Sequence, residues 1–212
     1  METDDRKWIV VRIDGKIAAV STDYRMLASI SAHLAGTFRH NDGEKDRKGR
    51  KKGSDGIQVH KEITATSISF DEVWRLRHET GWDDMMLFGT DFQKKVWRKL
   101  FDLTHQEDNT VRLISYTDFA QLCQNRAGVR AVAHAIGLNP VSVVIPCHLV
   151  VPKESIDKMK EINKKAEATI FKGVDLCLNS ILKNETIDFG NYALGPVTKR
   201  RLITLELTGE EL

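Results

Sequence analysis

Apolar positions come in short strand-like runs near the start of the chain. They fall into a helical rhythm from Thr90 onward. Trp8 to Ile13 and Lys16 to Val20 flank Asp14-Gly15, a two-residue turn signal, so residues 6–20 predict a hairpin. Met26, Leu27, Ile30 and Leu34 are spaced to bury one face of a helix over 22–35. Ile57 to Phe70 alternates as one or two strands, and Asp71 to His78 predicts a short helix. These elements make a small α/β domain over residues 1–82, in which no catalytic constellation is visible. Gly81 to Gly89 reads as a linker.

Thr90-Asp91-Phe92-Gln93 is a capping box, with an N-cap hydroxyl and a glutamine three positions on. Phe92, Val96, Leu100 and Leu103 follow at helical spacing. Thr117 can cap a second helix carrying Phe119, Ala120 and Leu122. Asn125-Arg126 then turns into a third, from Ala127 to Leu138. There Val129, Val132, Ala133 and Ile136 form one apolar face, and Ala127, Arg130, Ala131 and His134 the opposite one. The two short helices and their tight turn are a helix-turn-helix candidate, although an ordinary amphipathic surface helix is the commoner fate of such a pattern. The polar face carries little bulk around Arg130, so a backbone or groove could approach it closely.

Val143, Val144 and Ile145 read as a buried strand leading into Pro146-Cys147-His148. Asn139-Pro140 upstream marks a turn. Beyond Val151, residues 153–188 are rich in lysine and glutamate. Ile156, Met159 and Ile162, then Val174, Leu178 and Ile181, recur at helical spacing and predict an inserted helical hairpin. Pro196 suits the first turn of a further helix. Glu206 lies one turn after Leu202 on that helix; it reads either as an exposed acid of a terminal helix or as a member of the inward stripe, where a carboxylate needs a partner.

Composition narrows the classes. The 212 residues, 41% hydrophobic, suffice for one large or two small domains. There is no apolar run of membrane-spanning length, and the acidic Met1-Glu-Thr-Asp-Asp start has no signal-peptide character, so an intracellular protein without membrane contact is expected. Three widely spaced cysteines (Cys123, Cys147, Cys177) argue for reduced thiols, with no disulfide frame and no cysteine-rich zinc site. Cys177, among apolar residues, reads as a packed thiol. A net charge of only +2 means that any nucleic acid must meet local positive charge. Lys45, Arg47, Lys48, Arg50, Lys51 and Lys52 supply one cluster. It reads first as a solvated loop, then as a nuclear-localisation patch or a phosphate contact. Location is nuclear or cytoplasmic, and the cluster leans nuclear.

A cysteine acts through its thiolate, and at its ordinary pKa it is mostly protonated. A histidine base oriented by a carboxylate would activate Cys147, with His148 as base and Glu206 as orienter. Neighbours on a strand point to opposite sides, so His148 cannot simply stack beside Cys147.

The run Leu138-Asn-Pro-Val-Ser-Val-Val-Ile-Pro-Cys147-His148-Leu-Val-Val resembles the active-site signature of the O6-alkylguanine-DNA alkyltransferases, also called methylated-DNA–protein-cysteine methyltransferases. Asp91 to Leu100 resembles that family's opening helix, Ala127 to Pro140 its recognition helix and hinge, and Gly190-Asn-Tyr192 with Lys199 to Glu206 its closing segment. Leu149 stands where the family has arginine, and the 153–188 insert and the N-terminal domain lie outside the resemblance.

The resemblance implies an RNase H-like α/β domain over 1–82. A mainly helical domain over 90–212 would carry a helix-turn-helix and a short strand bearing the active-site cysteine. It implies an irreversible, once-only transfer of the alkyl group from O6-alkylguanine in duplex DNA to Cys147, with O4-alkylthymine as a further candidate. A water relay would link Cys147 through His148 to Glu206, Asn139 would brace the turn, and Tyr116 would protonate the leaving guanine. Arg130 would fill the stack vacated by the extruded base, with Ala127 and Ala131 permitting close approach. Tyr192, Ala193, Val150 and Ile136 would line the base pocket. Leu194, bulkier than the glycine of some relatives, would disfavour benzyl groups. No metal or organic cofactor is called for, and a monomer is expected.

Two alternatives stand beside this reading. A sensor would bind alkylated bases without transfer, and Cys147 argues against it. A Cys-His-Glu hydrolase would need an oxyanion-hole motif, and none is visible.

Overall fold

The computed structural model describes residues 7–22, 62–105, 112–169 and 182–209. The chain divides into two compact units, residues 1–88 and 89–212. The helix expected over 22–35, the 45–52 basic cluster and Cys177 lie outside the described residues.

In the first unit, β1 (Trp8–Ile13) and β2 (Lys16–Ser21) form an antiparallel hairpin. Its turn residues, Asp14 (φ 49°) and Gly15 (φ 80°), are both left-handed. That backbone twist matches the twist of paired strands, which is why Asp-Gly is so strong a signal. β3 (Ile63–Ile68) pairs antiparallel with the other edge of β1, giving the order β2-β1-β3. Ser69 and Glu72 close a capping box on α1 (Phe70–Glu79).

The segment expected as a linker over 81–89 is packed instead. Met85 bridges to Ile17, the Met86 N–H donates to the Ile17 carbonyl at 2.8 Å, and Met86 and Phe88 cover a core of Ile9, Val11, Ile13, Ala18 and Ala19. Its glycines suggested freedom, but its methionines and Phe88 supply apolar area that the sheet buries.

The second unit opens with α2 (Asp91–Asp102). Gln93 N–H donates to Thr90 Oγ1 at 3.2 Å, and Thr90 N–H donates to Gln93 Oε1 at 2.8 Å, closing the expected capping box. Val96, Trp97, Leu100 and Phe101 face inward. β4 (Ile114–Ser115) leads into α3 (Tyr116–Leu122), capped by Ser115, one position after β4 begins and two before the expected Thr117.

After a 3₁₀ turn over Arg126–Gly128 comes α4 (Val129–Gly137). The helix expected to start at Ala127 therefore starts two residues later. Asn125 is crowded against the Gly128 α-carbon, and a Cβ there would meet its side chain at 2.4 Å. Trp97 Nε1 donates to the Ala135 carbonyl at 2.8 Å and ties α2 to α4. β5 (Val150–Val151) pairs parallel with β4.

Two long helices complete the unit, α5 (Lys153–Thr169) and α6 (Pro196–Thr208). α5 occupies the insert, and of the expected helical hairpin only this first arm falls largely within the described residues. It is part of a core rather than an appendage. Ile156, Met159 and Ile162 pack against Val151, Leu182, Ile187, Phe189 and Ile203. The returning chain is pinned on both sides. Lys158 Nζ donates to the Thr186 carbonyl at 2.7 Å, and Ser155 Oγ donates to that of Asp188. From α6, the Arg200 guanidinium donates to the carbonyls of Leu182, Asn184 and Ile187 and lies 4.8 Å from the Phe189 ring centre.

Candidate active site

The residues before the cysteine are buried as expected but do not form a strand. Val144 N–H donates to the Ser142 carbonyl at 2.9 Å, and Ile145 N–H to that of Val141 at 3.0 Å, so residues 141–145 make a tight loop. Val143 sits at φ 71°, a left-handed conformation costly for a β-branched side chain. An unbroken apolar run signals burial, and here the backbone polar groups bond within the loop rather than to a neighbouring strand. Cys147 likewise sits on no strand. It begins a 3₁₀ turn, Cys147–Leu149, that feeds β5.

Asn139 organises this loop. Its Oδ1 accepts from Val141 N–H at 3.0 Å, and its Nδ2 donates to the Ile145 carbonyl at 2.9 Å and to Cys147 Sγ at 3.1 Å. Burial pushes the Cys147 thiol above its ordinary pKa, opposed by the Asn139 hydrogen bond and by the nearby Lys199 ammonium. The sulfur therefore needs a base to become a nucleophile at neutral pH. Next to it, His148 is fully buried, and its Nε2 meets Glu206 Oε1 at 3.1 Å. The Glu206 side chain is only 3% exposed. The helical turn, not strand alternation, sets the relation of Cys147 to His148.

Lys199 was not singled out from the sequence. It is 1% exposed, and its Nζ donates to the Val150 carbonyl at 2.9 Å and to that of Asn191 at 3.5 Å. Nζ also lies 5.8 Å from the Tyr116 ring centre. Burial lowers its pKa from 10.5 to about 8, with Cys147 and Asp188 acting in the opposite direction. A signal existed: Lys199 lies three residues before Leu202 on the stripe that turns Glu206 inward.

A cavity of about 380 Å³ opens onto the sulfur. Its lining includes Tyr116, Ile136, Asn139, Cys147, Tyr192 and Ala193, and Ala133 and Gly137 of α4 complete one wall. Val150, expected in this wall, is buried behind it and instead presents its carbonyl to Lys199. Leu194 is also buried outside the lining, so it does not restrict the cavity directly.

Tyr116 opens α3, and burial, reinforced by Cys147, raises its phenol pKa. Ala127, Arg130, Ala131 and His134 are all exposed, as expected; of the expected apolar face Val132 and Ile136 are buried and Val129 and Ala133 half-buried, and Ala135, not expected there, is buried too. Leu149 is fully buried. Among the described residues, no cluster of histidine, cysteine, aspartate and glutamate could hold a metal ion, and no helix is long and apolar enough to cross a membrane.

Known proteins share this segment. Residues 91–169 match the family described as 6-O-methylguanine DNA methyltransferase, DNA binding domain. A probable methylated-DNA–protein-cysteine methyltransferase of Acanthamoeba polyphaga mimivirus is 42% identical over 72 residues, 34% of this chain and 45% of the relative. The methylated-DNA–protein-cysteine methyltransferase of Saccharomyces cerevisiae is 37% identical over 65 residues, 31% of this chain and 32% of the relative. The inducible enzyme of Bacillus subtilis is 42% identical over 65 residues, 31% of this chain and 34% of the relative. The matched segment thus spans less than half the length of these curated relatives.

Among solved structures, Mycobacterium tuberculosis OGT in complex with DNA superposes with a TM-score of 0.42 at 23% identity, covering 65% of this chain and 63% of that one. The Pyrococcus kodakaraensis O6-methylguanine-DNA methyltransferase gives 0.45 at 19% identity, covering 97% and 95%. The matched residues 91–169 contain the Pro146-Cys147-His148 run, so the family model and these curated relatives are similar to this chain over the segment that carries the candidate site.

Proposed function

We propose that this protein repairs DNA by moving the alkyl group from O6 of an alkylated guanine in duplex DNA to Cys147, once per molecule. The observation that carries this reading is the sulfur of Cys147. It is fixed by Asn139 at the floor of an apolar cavity, beside a buried His148–Glu206 pair.

His148 takes the thiol proton through a bridging water, and Glu206 holds the imidazole and offsets the charge it gains. The thiolate attacks the alkyl carbon. An S–C bond forms, the C–O6 bond breaks, and the electron pair leaves with guanine. Tyr116, its phenol kept protonated by burial, donates the proton that guanine needs and recovers one from solvent. The product is a neutral thioether with no route back to the thiol, so turnover stops at one. The step uses no metal or organic cofactor.

O6 is hidden in a stacked duplex, so the base must leave the stack to reach the cavity. α3 and α4 serve as the helix-turn-helix. The exposed α4 face lies against the minor groove, where Ala127 and Ala131 allow close approach and Arg130 fills the vacated space. Contacts to phosphates make the binding independent of sequence. The protein acts as a monomer on duplex DNA. Within this scheme the second unit, residues 89–212, is the catalytic and DNA-binding domain, and the first unit, residues 1–88, takes no part in the chemistry.

The experiment is intact-protein mass spectrometry after incubation with a duplex carrying one O6-methylguanine, with Cys147→Ala alongside. A single methyl gained by the wild type alone is expected. Tight lesion binding with no mass gain would replace transfer by sensing.

A further inference from the structure

The Tyr192 hydroxyl is buried and makes no hydrogen bond of acceptable geometry in the described structure. An unmade bond of this kind is costly, and tyrosine O–H groups nearly always find a partner when buried. The ring position is fixed, because Tyr192 packs edge-on against His148 with ring centres 6.4 Å apart. Tyr192 and Cys147 line the same cavity, and the hydroxyl lies close enough to the sulfur for the two groups to perturb one another's titration. The other phenol lining the cavity, that of Tyr116, enters from α3 on a different element.

We propose that Tyr192 donates an O–H···S hydrogen bond to the Cys147 thiolate, as the second donor beside Asn139, and so sets the reactivity of the sulfur. This rests on the reading of Cys147 as the reacting atom. A thiol is a weak acceptor and leaves the phenol without a good partner, whereas a thiolate is a strong one. The bond therefore forms when the proton leaves for His148. Burial holds the Tyr192 phenol well above its ordinary pKa, so it stays a donor and never competes as a base. No covalent bond is made or broken at Tyr192 during transfer. When the sulfur becomes a neutral thioether, the hydrogen bond weakens and the hydroxyl returns to its unpartnered state. The two tyrosines thus divide the work: Tyr192 serves the nucleophile, and Tyr116 the leaving group.

The test separates the sulfur's ionisation from DNA repair. The full-length chain is treated with iodoacetamide across pH, and alkylation at Cys147 is followed by peptide mapping. The titratable groups facing the sulfur are Tyr116, Tyr192, Lys199 and the His148–Glu206 pair, so each variant is compared with the wild type and with Tyr116→Phe. Tyr192→Phe is expected to move the alkylation midpoint upward by about one pH unit, which is about a tenfold loss of rate below the midpoint. Tyr116→Phe is expected to leave the midpoint within about a third of that shift. The ultraviolet absorbance of the thiolate gives the same midpoint without a reagent, and near-ultraviolet circular dichroism checks that Tyr192→Phe keeps the native packing.

An unmoved midpoint in Tyr192→Phe would overturn the proposal, as would an equal shift in Tyr116→Phe. Methyl transfer from O6-methylguanine duplex is measured in parallel. Transfer without a midpoint shift removes the Tyr192 role and leaves the repair function. A midpoint shift in Tyr192→Phe, with a wild type that accepts no methyl, removes the repair function and leaves the Tyr192 role.

Discussion

Asn139 reaches the sulfur of Cys147 at 3.1 Å with the same amide nitrogen that holds the Ile145 carbonyl. One side chain therefore fixes both the loop and the nucleophile it presents. Asn139→Ala removes these bonds and the one from Val141, and leaves the buried Val141 N–H unsatisfied at about 1–3 kcal/mol, while the Ile145 carbonyl keeps its bond from Cys147 N–H. Urea denaturation should show a loss of about 2–4 kcal/mol, and the surviving folded fraction should alkylate more slowly at Cys147.

In the proposed mechanism the His148–Glu206 contact links a base to its orienter. Glu206→Gln preserves the shape but offsets no positive charge on the imidazole. Single-turnover methyl transfer should slow by on the order of 10²-fold, the lower range for losing general-base support. Duplex affinity should be unchanged, because Glu206 is buried away from the exposed face of α4. Rapid-quench transfer assays paired with binding titrations would check both halves.

Much of this was legible where the determinants are local. The Asp14-Gly15 hairpin, the Thr90–Gln93 capping box and the two faces of α4 each depend on residues within a few positions. The 143–145 loop was misread because a run of three buried apolar residues looks the same whether the backbone pairs with a strand or folds on itself. The partners of Lys199 and Arg200 were invisible for another reason. Lys199 reaches a carbonyl 49 residues away, and Arg200 holds carbonyls up to 18 residues away. Lysine and arginine on an amphipathic helix ordinarily face water, so composition hid them.

Lys199 gives a pH signature. Its pKa falls from 10.5 to about 8 on folding. Between those values the unfolded chain carries a proton that the folded chain has released, so stability rises with pH across that window. It is lost as pH falls from about 10.5 to about 8, and below that both states hold the proton and the dependence ends. Lys199→Met lacks this proton linkage. The wild type should gain on the order of 3 kcal/mol relative to Lys199→Met between neutral pH and the top of that window. Urea titrations at a series of pH values would show it.

Leu149 occupies a fully buried position where the family signature carries arginine. Leu149→Arg puts a guanidinium at a position that is closed to water. The expected result is destabilisation by more than about 3 kcal/mol rather than improved transfer, seen as a lower thermal midpoint.

Arg200 should matter to the path of the chain between α5 and Tyr192. Arg200→Leu strips the donors from three carbonyls and the cation from the Phe189 ring. Hydrogen exchange over residues 182–192 should accelerate by at least tenfold, with a global loss of about 2–3 kcal/mol.

The carboxylate that holds His148 comes from 58 residues further along the chain. On the ribosome, the thiol and its base emerge well before their orienting acid does. A growing chain thus displays Cys147 while Glu206, Lys199 and Tyr192 are still unmade, and its sulfur has neither the base support nor the cavity that give it selectivity. In the proposed transfer, reactivity arrives with the docking of α6, which ties the arming of the sulfur to the folding of the closing helix.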